Sequence, residues 1–303
     1  MKSGFVGIIG RPNVGKSTLL NQILGEKIAI TSDKPQTTRN SIRGIYTRHE
    51  GENGPKDEGV QMVFIDTPGI HKGRNKLGNA MTEMATNTFK EVDVVLFLVD
   101  GPQENGGGDK YIVEMLKTID TPKILVINKI DTMSPEDYKQ AFEEYDELNM
   151  FDEIYGTSAL KGKNVPELMG KIEDMLVEGP MYFPDDMITD YPERFLVSEI
   201  IREKTLMYLE DEVPHGIAVE IESFKESDKI TKIGAVIYCE RKSHKGIIIG
   251  KGGKKLKGIG KAARTELEAL LGTKVYLETW VKVKENWRDS DFDLANFGYK
   301  EKE

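Results

Sequence analysis

The 303 residues contain a single cysteine and no unbroken apolar run longer than the six of Val94–Val99. One thiol cannot form an internal disulfide. Cys239 lies in the apolar stretch 235–239 with no Cys or His at metal-ligand spacing, so a reducing compartment is expected and a zinc site is not. Crossing a bilayer takes about 20 apolar residues, so no membrane-spanning helix is expected. The opening residues 1–10 are too short and too broken by glycine for a signal peptide. Positive charge is also short: 42 Lys and Arg against 51 Asp and Glu leave −9, and taken globally this disfavours a polyphosphate partner. Hydrophobic residues at 38% and charged residues at 31% exclude disordered and collagen-like chains. No internal repeat is present.

The length suggests two domains, at roughly 100–200 residues each. The first half alternates short apolar runs at 5–9, 60–65, 94–99 and 123–127 with helical patterns at 18–24, 81–91, 111–118, 135–148 and 165–176. Strands that are apolar on both faces belong in a parallel sheet covered by helices, so residues 1–178 read as a doubly wound α/β domain. The polar stretch 48–59 reads as a solvated loop joining strands 39–47 and 60–65. A linker with three prolines, 179–193, ends the domain. A different pattern follows over 194–285: a helix to Leu209, alternating strands at 217–224 and 230–240, a helix at 254–271 and a strand at 274–284. Residues 286–303 form a charged tail.

Four nucleotide motifs occur in order. The first strand ends in Gly10, Arg11, Pro12, Asn13, Val14, Gly15, Lys16 and Ser17, and Thr18 begins a helix. This is the P-loop spacing: backbone N–H groups and the helix N-terminus cradle phosphates, Lys16 meets the β- and γ-phosphates, and the Ser17 hydroxyl ligates Mg²⁺. Asp66, Thr67, Pro68 and Gly69 follow the strand at 60–65. Asp66 is placed to hold Mg²⁺ through water, and the Gly69 N–H to sense a γ-phosphate. Asn128, Lys129 and Asp131 follow the strand at 123–127, where the Asp131 carboxylate can accept from the ring N–H and exocyclic amine of guanine. Ser158, Ala159 and Leu160 would offer a backbone N–H to guanine O6. The order selects GTP over ATP. In the polar segment 32–39, Thr38, in preference to Thr37, is expected to complete the Mg²⁺ shell when GTP is bound and to let go after hydrolysis. Lys16, Thr38, Asp66 and Gly69 are therefore the expected catalytic groups.

The glutamine that orients water in Ras-like enzymes is missing, and Ile70 takes its place. Intrinsic turnover is therefore expected to be slow, on the order of 10⁻⁴ to 10⁻² s⁻¹. Asn13 is a candidate ligand for K⁺ beside the phosphates, as in GTPases that pair a P-loop asparagine with a hydrophobic residue at this position.

In the second half, Ile249 precedes Gly250, Lys251, Gly252 and Gly253, and the basic residues Lys254, Lys255, Lys257, Lys261 and Arg264 follow. No Lys-Ser/Thr follows at P-loop spacing. A Gly-x-x-Gly turn before a basic helix suits a KH domain, whose tight turn lets an RNA backbone approach while an apolar groove holds about four unstacked bases. Residues 240–264 hold nine basic residues against one acid. That +8 leaves −17 on the rest of the chain, so the global charge conceals a local site for RNA.

Together with Lys34–Arg39, Asp66 to His71, Asn128 to Asp131, Ser198 to Lys204, the Gly250–Gly253 turn and Trp280 to Trp287, these motifs resemble the Era family of bacterial GTPases over nearly the whole chain. The glycines at 106–108 and the 51–59 loop depart from the family pattern without touching a motif. The resemblance implies a Ras-like P-loop NTPase domain followed by an α+β type II KH domain, with RNA contacts extending to Lys282, Lys284 and Trp287. It also implies binding of the single-stranded 3′ end of 16S ribosomal RNA, work on the 30S subunit or its precursor as a monomer, and a place in the cytoplasm and peripherally at the inner membrane. GTP would order 32–39 and 66–80 and so reorient the second domain. A GTPase subunit gating an RNA-modification enzyme and a membrane-associated signalling GTPase are the alternatives.

Overall fold

A computed structural model of the chain describes residues 1–34, 36–52, 59–70, 75–102, 107–211, 213–227 and 229–300. Pro35, most of the 51–59 loop, His71 and Gly106 lie outside the described residues. The chain divides into two compact units. The first comprises Met1–Ala29, Thr38–Gly73 and Met81–Asp190; the second comprises Ile30–Thr37, a short stretch ending at Ala80, and Tyr191–Glu303.

The first unit is a six-stranded sheet. Its strands are β1 (Lys2–Gly10), β2 (Ile42–Arg48), β3 (Val60–Asp66), β4 (Val94–Val99), β5 (Lys123–Ile127) and β6 (Glu153–Gly156), in the order β2-β3-β1-β4-β5-β6. All neighbours are parallel except β2, which runs antiparallel to β3. β4 is buried at every position, as its unbroken apolar composition requires of a central strand covered on both faces. The helices are α1 (Lys16–Leu24), α2 (Lys76–Thr88), α3 (Gly108–Leu116), α4 (Pro135–Asp146) and α5 (Val165–Met175). One core cluster joins Ile9, Val95, Phe97, Val99, Leu125 and Ile127 of the sheet to Ile112, Leu116 and Tyr145 of the helices. The chain crosses from one side of the sheet to the other between β1 and β4, the place where such sheets bind ligands at the strands' C-terminal ends.

The expected linker belongs to this first unit up to Asp190. Ile188 O accepts from Ile45 N at 2.7 Å. The buried Gln61 amide accepts from Tyr182 N and Phe183 N and donates to Phe183 O. Prolines prevent helix here, and edge-strand backbone and a buried amide supply the partners that hold the segment in place.

The second unit contains α6 (Glu193–Met207), β7 (Ala218–Lys225), β8 (Ile230–Cys239), α7 (Lys242–Ile249), α8 (Lys254–Leu271), β9 (Lys274–Val283) and α9 (Asp291–Asn296). β7 pairs antiparallel and β9 parallel with β8, so the α7–turn–α8 connection forms a crossover, which parallel pairing requires. Its core joins Val197 and Ile201 of α6, Ile237 and Cys239 of β8, and Ile259, Ala263 and Leu267 of α8. Inside this unit a buried polar cluster on α6 fastens the segment Ile30–Thr37. Arg202 Nε and Nη2 bond Glu199 at 2.7 and 2.6 Å, Arg202 Nη2 also donates to Thr37 O, and Glu203 accepts from Thr31 N at 2.9 Å.

Two departures concern the end of the chain. Helix α7 occupies the apolar run 247–249, to which the sequence pattern assigns no element; Gly250 ends it. Residues 286–300 are no loose tail, because Trp287 is fully buried. Its Nε1–H donates to Gly216 O at 3.0 Å, and its ring meets Phe297 edge-on at 5.2 Å and stacks on Tyr299 at 5.9 Å. The expected RNA contact by Trp287 is therefore corrected: an indole enclosed on all sides by its own core has no face to offer a base. Trp287→Ala should lower unfolding stability by about 3–5 kcal/mol in chemical denaturation. A variant of unchanged stability with weakened RNA binding would contradict this placement.

Candidate functional site

The P-loop residues lie between the end of β1 and α1. Gly15 has φ +101, and a Cβ there would stand 2.3 Å from Asn128 Nδ2, so only glycine allows the phosphate loop and the base loop to touch. Lys16 is 5% exposed and donates to Gly10 O at 3.1 Å and Arg11 O at 2.9 Å. Asp66, at the end of β3, is fully buried and accepts from the Ser17 hydroxyl at 2.6 Å. The Ser17 hydroxyl lies 2.9 Å from the Thr38 hydroxyl. Thr37 Oγ1 instead donates to Lys34 O at 2.6 Å. Of the two threonines, Thr38 is the one the fold brings to Ser17.

Burial lowers the Lys16 ammonium to about 8, the charges of Asp66 and Asp100 opposing the shift. Burial raises the Asp66 carboxyl to about 6, against the Lys16 charge and the Ser17 hydrogen bond. Asp66 Oδ1 is buried and has no hydrogen-bond partner. A buried ammonium, two hydroxyls and an unpaired carboxylate oxygen form a donor set that a phosphate chain and a hard divalent cation complete, so these residues fit Mg²⁺.

Gly69 comes close to the P-loop: a Cβ would lie 2.6 Å from Pro12 N. Ile70 N donates to Gly10 O at 3.1 Å, while the Ile70 side chain is 1% exposed within the core. The hydrophobic residue in the glutamine position thus serves packing, with no reach toward a water. Thr67 was expected among the GTP contacts, but both its N–H and its hydroxyl donate to Ile8 O; it anchors the end of β3. Asn13 is exposed at the loop tip with φ +67.

The base-recognition residues meet at the ends of β5 and β6. Asn128 donates through Nδ2 to Val14 O at 2.8 Å and accepts through Oδ1 from Thr157 Oγ1 at 3.2 Å and Ala159 N at 2.9 Å. It acts as a bracket between loops, and the Ala159 N–H is engaged by it. The Ser158 hydroxyl donates to Asp131 Oδ1 at 2.6 Å, orienting the carboxylate expected to read guanine, and Leu160 is 71% exposed. Sequence reasoning missed Thr157, Asp100 and Asp109. Asp100 pairs with Arg11 at 3.2 Å and with Lys129 at 2.7 Å, and Asp109 pairs with Arg11 at 2.8 Å. The apolar run of β4 ending directly in an acid was the available signal.

In the second unit, a groove runs between α8 and β9, lined by Gly253, Leu256, Lys257, Gly260, Lys261 and Arg264 on the helix and by Val275, Tyr276, Leu277 and Thr279 on the strand. The helix positions recur at three and four residues and so share one face. Their cations form a rim, and the small Gly260 leaves room beside Thr279. Gly250, Gly252 and Gly253 take φ of +71, +60 and +74, which builds the tight turn; Lys251 and Lys254 beside it are exposed, Lys255 half-buried and Ile249 packed against the core. The β9 wall was not anticipated. Lys282 and Lys284 are bound elsewhere: Lys282 pairs with Glu222 at 2.6 Å, and Lys284 pairs with Asp293 at 2.7 Å and lies 5.5 Å from the Phe297 ring centre. Neither lines this groove.

Residues 5–129 match the family model of 50S ribosome-binding GTPases, and residues 212–288 that of the KH domain. The chain is 58% identical to GTPase Era of Alkaliphilus oremlandii over 98% of its length and 99% of the relative, and 58% identical to GTPase Era of Clostridioides difficile over 99% of each. Among solved structures, it is similar to a single-substitution variant of Aquifex aeolicus Era bound to GDP and AlF₄⁻, with a TM-score of 0.91 and 42% identity over 99% of both chains. It is similar also to Era in complex with MgGDPNP and nucleotides 1506–1542 of 16S ribosomal RNA, with a TM-score of 0.90 and 44% identity over 99% of both chains.

Asp131→Ala should reduce discrimination between GTP and ATP by a factor of about 10⁴, the scale on which a site built to hydrogen-bond a ligand group rejects the analogue lacking it. Displacement of labelled GDP by each nucleotide checks this. Undiminished selectivity would show that the carboxylate does not read the base.

Proposed function

The chain belongs to the Era family of GTPases, and from that premise we propose that it is a GTP-operated switch that binds the 3′ end of 16S ribosomal RNA and assists maturation of the 30S subunit. The observation that carries the reading is the conjunction, in one chain, of a complete guanine-nucleotide site and a basic groove beside a Gly-x-x-Gly turn. Further support comes from the relative whose structure contains MgGDPNP and nucleotides 1506–1542 of that RNA. We place its work in the cytoplasm, with the ribosomal precursor, and as a monomer. No helix among the described residues is long and apolar enough to cross a membrane, and peripheral contact with the inner membrane would have to rest on the basic strip alone.

In the nucleotide site, the P-loop amides and Lys16 hold the β- and γ-phosphates, and the Gly69 backbone, pressed against Pro12, reports whether the γ-phosphate is present. Ser17 and Thr38, with Asp66 behind Ser17, would hold Mg²⁺, which supplies positive charge to the phosphates when bound. Thr38 has a γ-phosphate-dependent role, so the segment before it is ordered in one nucleotide state and released in the other. Because the Ile70 side chain is buried, it does not orient the attacking water, and hydrolysis is slow enough to time a step. K⁺ beside Asn13 is the proposed source of additional charge. Turnover should be several-fold faster in KCl than in NaCl of equal strength, and equal rates would remove potassium from the mechanism.

In the groove, the Lys257, Lys261 and Arg264 rim contacts phosphates, while the apolar floor of Leu256, Val275 and Leu277 accepts unstacked bases. A Cβ at Gly252 or Gly253 meets nothing within 4 Å, and aspartate tolerates left-handed backbone. Gly252→Asp with Gly253→Asp therefore places negative charge at the turn with little change in packing. This variant should retain GTP binding and lose RNA. Crosslinking and sequencing of RNA bound in cells should give a peak at the small-subunit 3′ end that the variant abolishes. Even enrichment over all RNA would defeat the specific assignment, and full function in the variant would favour a signalling GTPase without RNA.

A further inference from the structure

The sheet order places β4 between β1, which leads into the phosphate loop, and β5, which leads into the base loop. Gly10 pairs with Leu98 and Ile127 with Val99, so Asp100, the first residue beyond β4, comes out between the two loops at the point where the sheet reverses its winding. Its two carboxylate oxygens are divided. Oδ1 accepts from Arg11 Nη2 at 3.2 Å, and Oδ2 accepts from Lys129 Nζ at 2.7 Å. The Asp100 side chain is 25% exposed, so both bonds are partly shielded from water, where charge-assisted pairs retain strength. Arg11 is held from a second side by Asp109 in the first turn of α3, at 2.8 Å. Gly108 just before it admits the Arg11 side chain, since a Cβ there would lie 2.7 Å from Arg11 Cδ. The arginine is thus fixed in place, and Asp100 transmits that fixed position to the lysine beside the base.

We propose that Asp100 is a positioning residue for guanine nucleotide, a single carboxylate that ties the phosphate loop through Arg11 to the base loop through Lys129. The proposal rests on the guanine-nucleotide site and is independent of the RNA reading. Asp100 acts where the phosphate and base loops meet; Thr38 and Gly69 serve the γ-phosphate. Its loss therefore falls on both GDP and GTP, in how long each stays bound.

The test is stopped-flow release of fluorescently labelled GDP and a labelled non-hydrolysable GTP analogue from the full-length chain. Retention of labelled GDP by the wild-type chain is the separate check on the nucleotide site itself. Asp100→Asn keeps the shape and removes the charge, and it should speed release of both nucleotides about tenfold, the scale of a lost charge-assisted hydrogen bond. Combined with Lys129→Met, the effect should be less than multiplicative, because both changes break one link. Asp100→Glu keeps the charge but moves it by one methylene, and should release nucleotide at an intermediate rate; it also serves if the asparagine variant does not fold. Unchanged release in either variant, or effects of Asp100 and Lys129 that multiply independently, would overturn the proposal. So would a loss confined to GTP, which would place Asp100 at the γ-phosphate instead.

Discussion

The side-chain amide of Asn128 holds the nucleotide site together. It donates to the carbonyl of Val14 in the phosphate loop and accepts from Thr157 and Ala159 in the loop after β6. Three segments far apart in the chain converge on one side chain that is 2% exposed. A buried amide cannot leave these groups unpaired without a cost of about 1–3 kcal/mol for each, so the loops take one relative position. Glycine at position 15 follows from that position, as does the register in which Ser158 meets Asp131. Asp100 repeats the device nearer the surface, with charges in place of an amide.

The second unit solves a different problem with opposite electrostatics. A chain of net charge −9 repels nucleic acid over most of its surface, and it concentrates +8 in 25 residues around one turn and one helix. The acidic remainder limits non-specific binding while the groove keeps its attraction. Lys257, Lys261 and Arg264 share the face of α8 that lines the groove, whereas Lys282 and Lys284 lie outside it, in ion pairs with Glu222 and Asp293.

Legibility in the sequence followed the range of the interactions. The P-loop, Asp66 to Gly69 and Asn128 to Asp131 were readable because their chemistry depends on backbone conformation and spacing over a few residues. Between Thr37 and Thr38, the fold brings the hydroxyl of Thr38 to Ser17 and turns that of Thr37 to Lys34 O. Thr67 was misjudged because its neighbours in sequence give no sign that Ile8 O would take its hydroxyl. Trp287 was misjudged for the same reason on a larger scale. An aromatic in a basic segment looks like a base-stacking residue, and only packing against Gly216, Phe297 and Tyr299 shows that it is core. The linker prolines predicted an irregular segment correctly, but not that Gln61 and Ile45 would fasten it to the first unit.

The sequence alone determined the two-part architecture, the phosphate and guanine motifs, the missing water-orienting glutamine and the concentrated basic turn. Each of these is a local pattern of glycines, apolar periodicity or charge, and such patterns act through backbone geometry and short-range sterics. Tertiary structure alone decided that Asn128 is a bracket, that Asp100 stands between two loops, that β9 supplies the far wall of the groove and that Trp287 is enclosed. These depend on which strands become neighbours: Asp100 and Lys129 are 29 residues apart in the chain and 2.7 Å apart in the fold, and no local rule links them until the sheet order does.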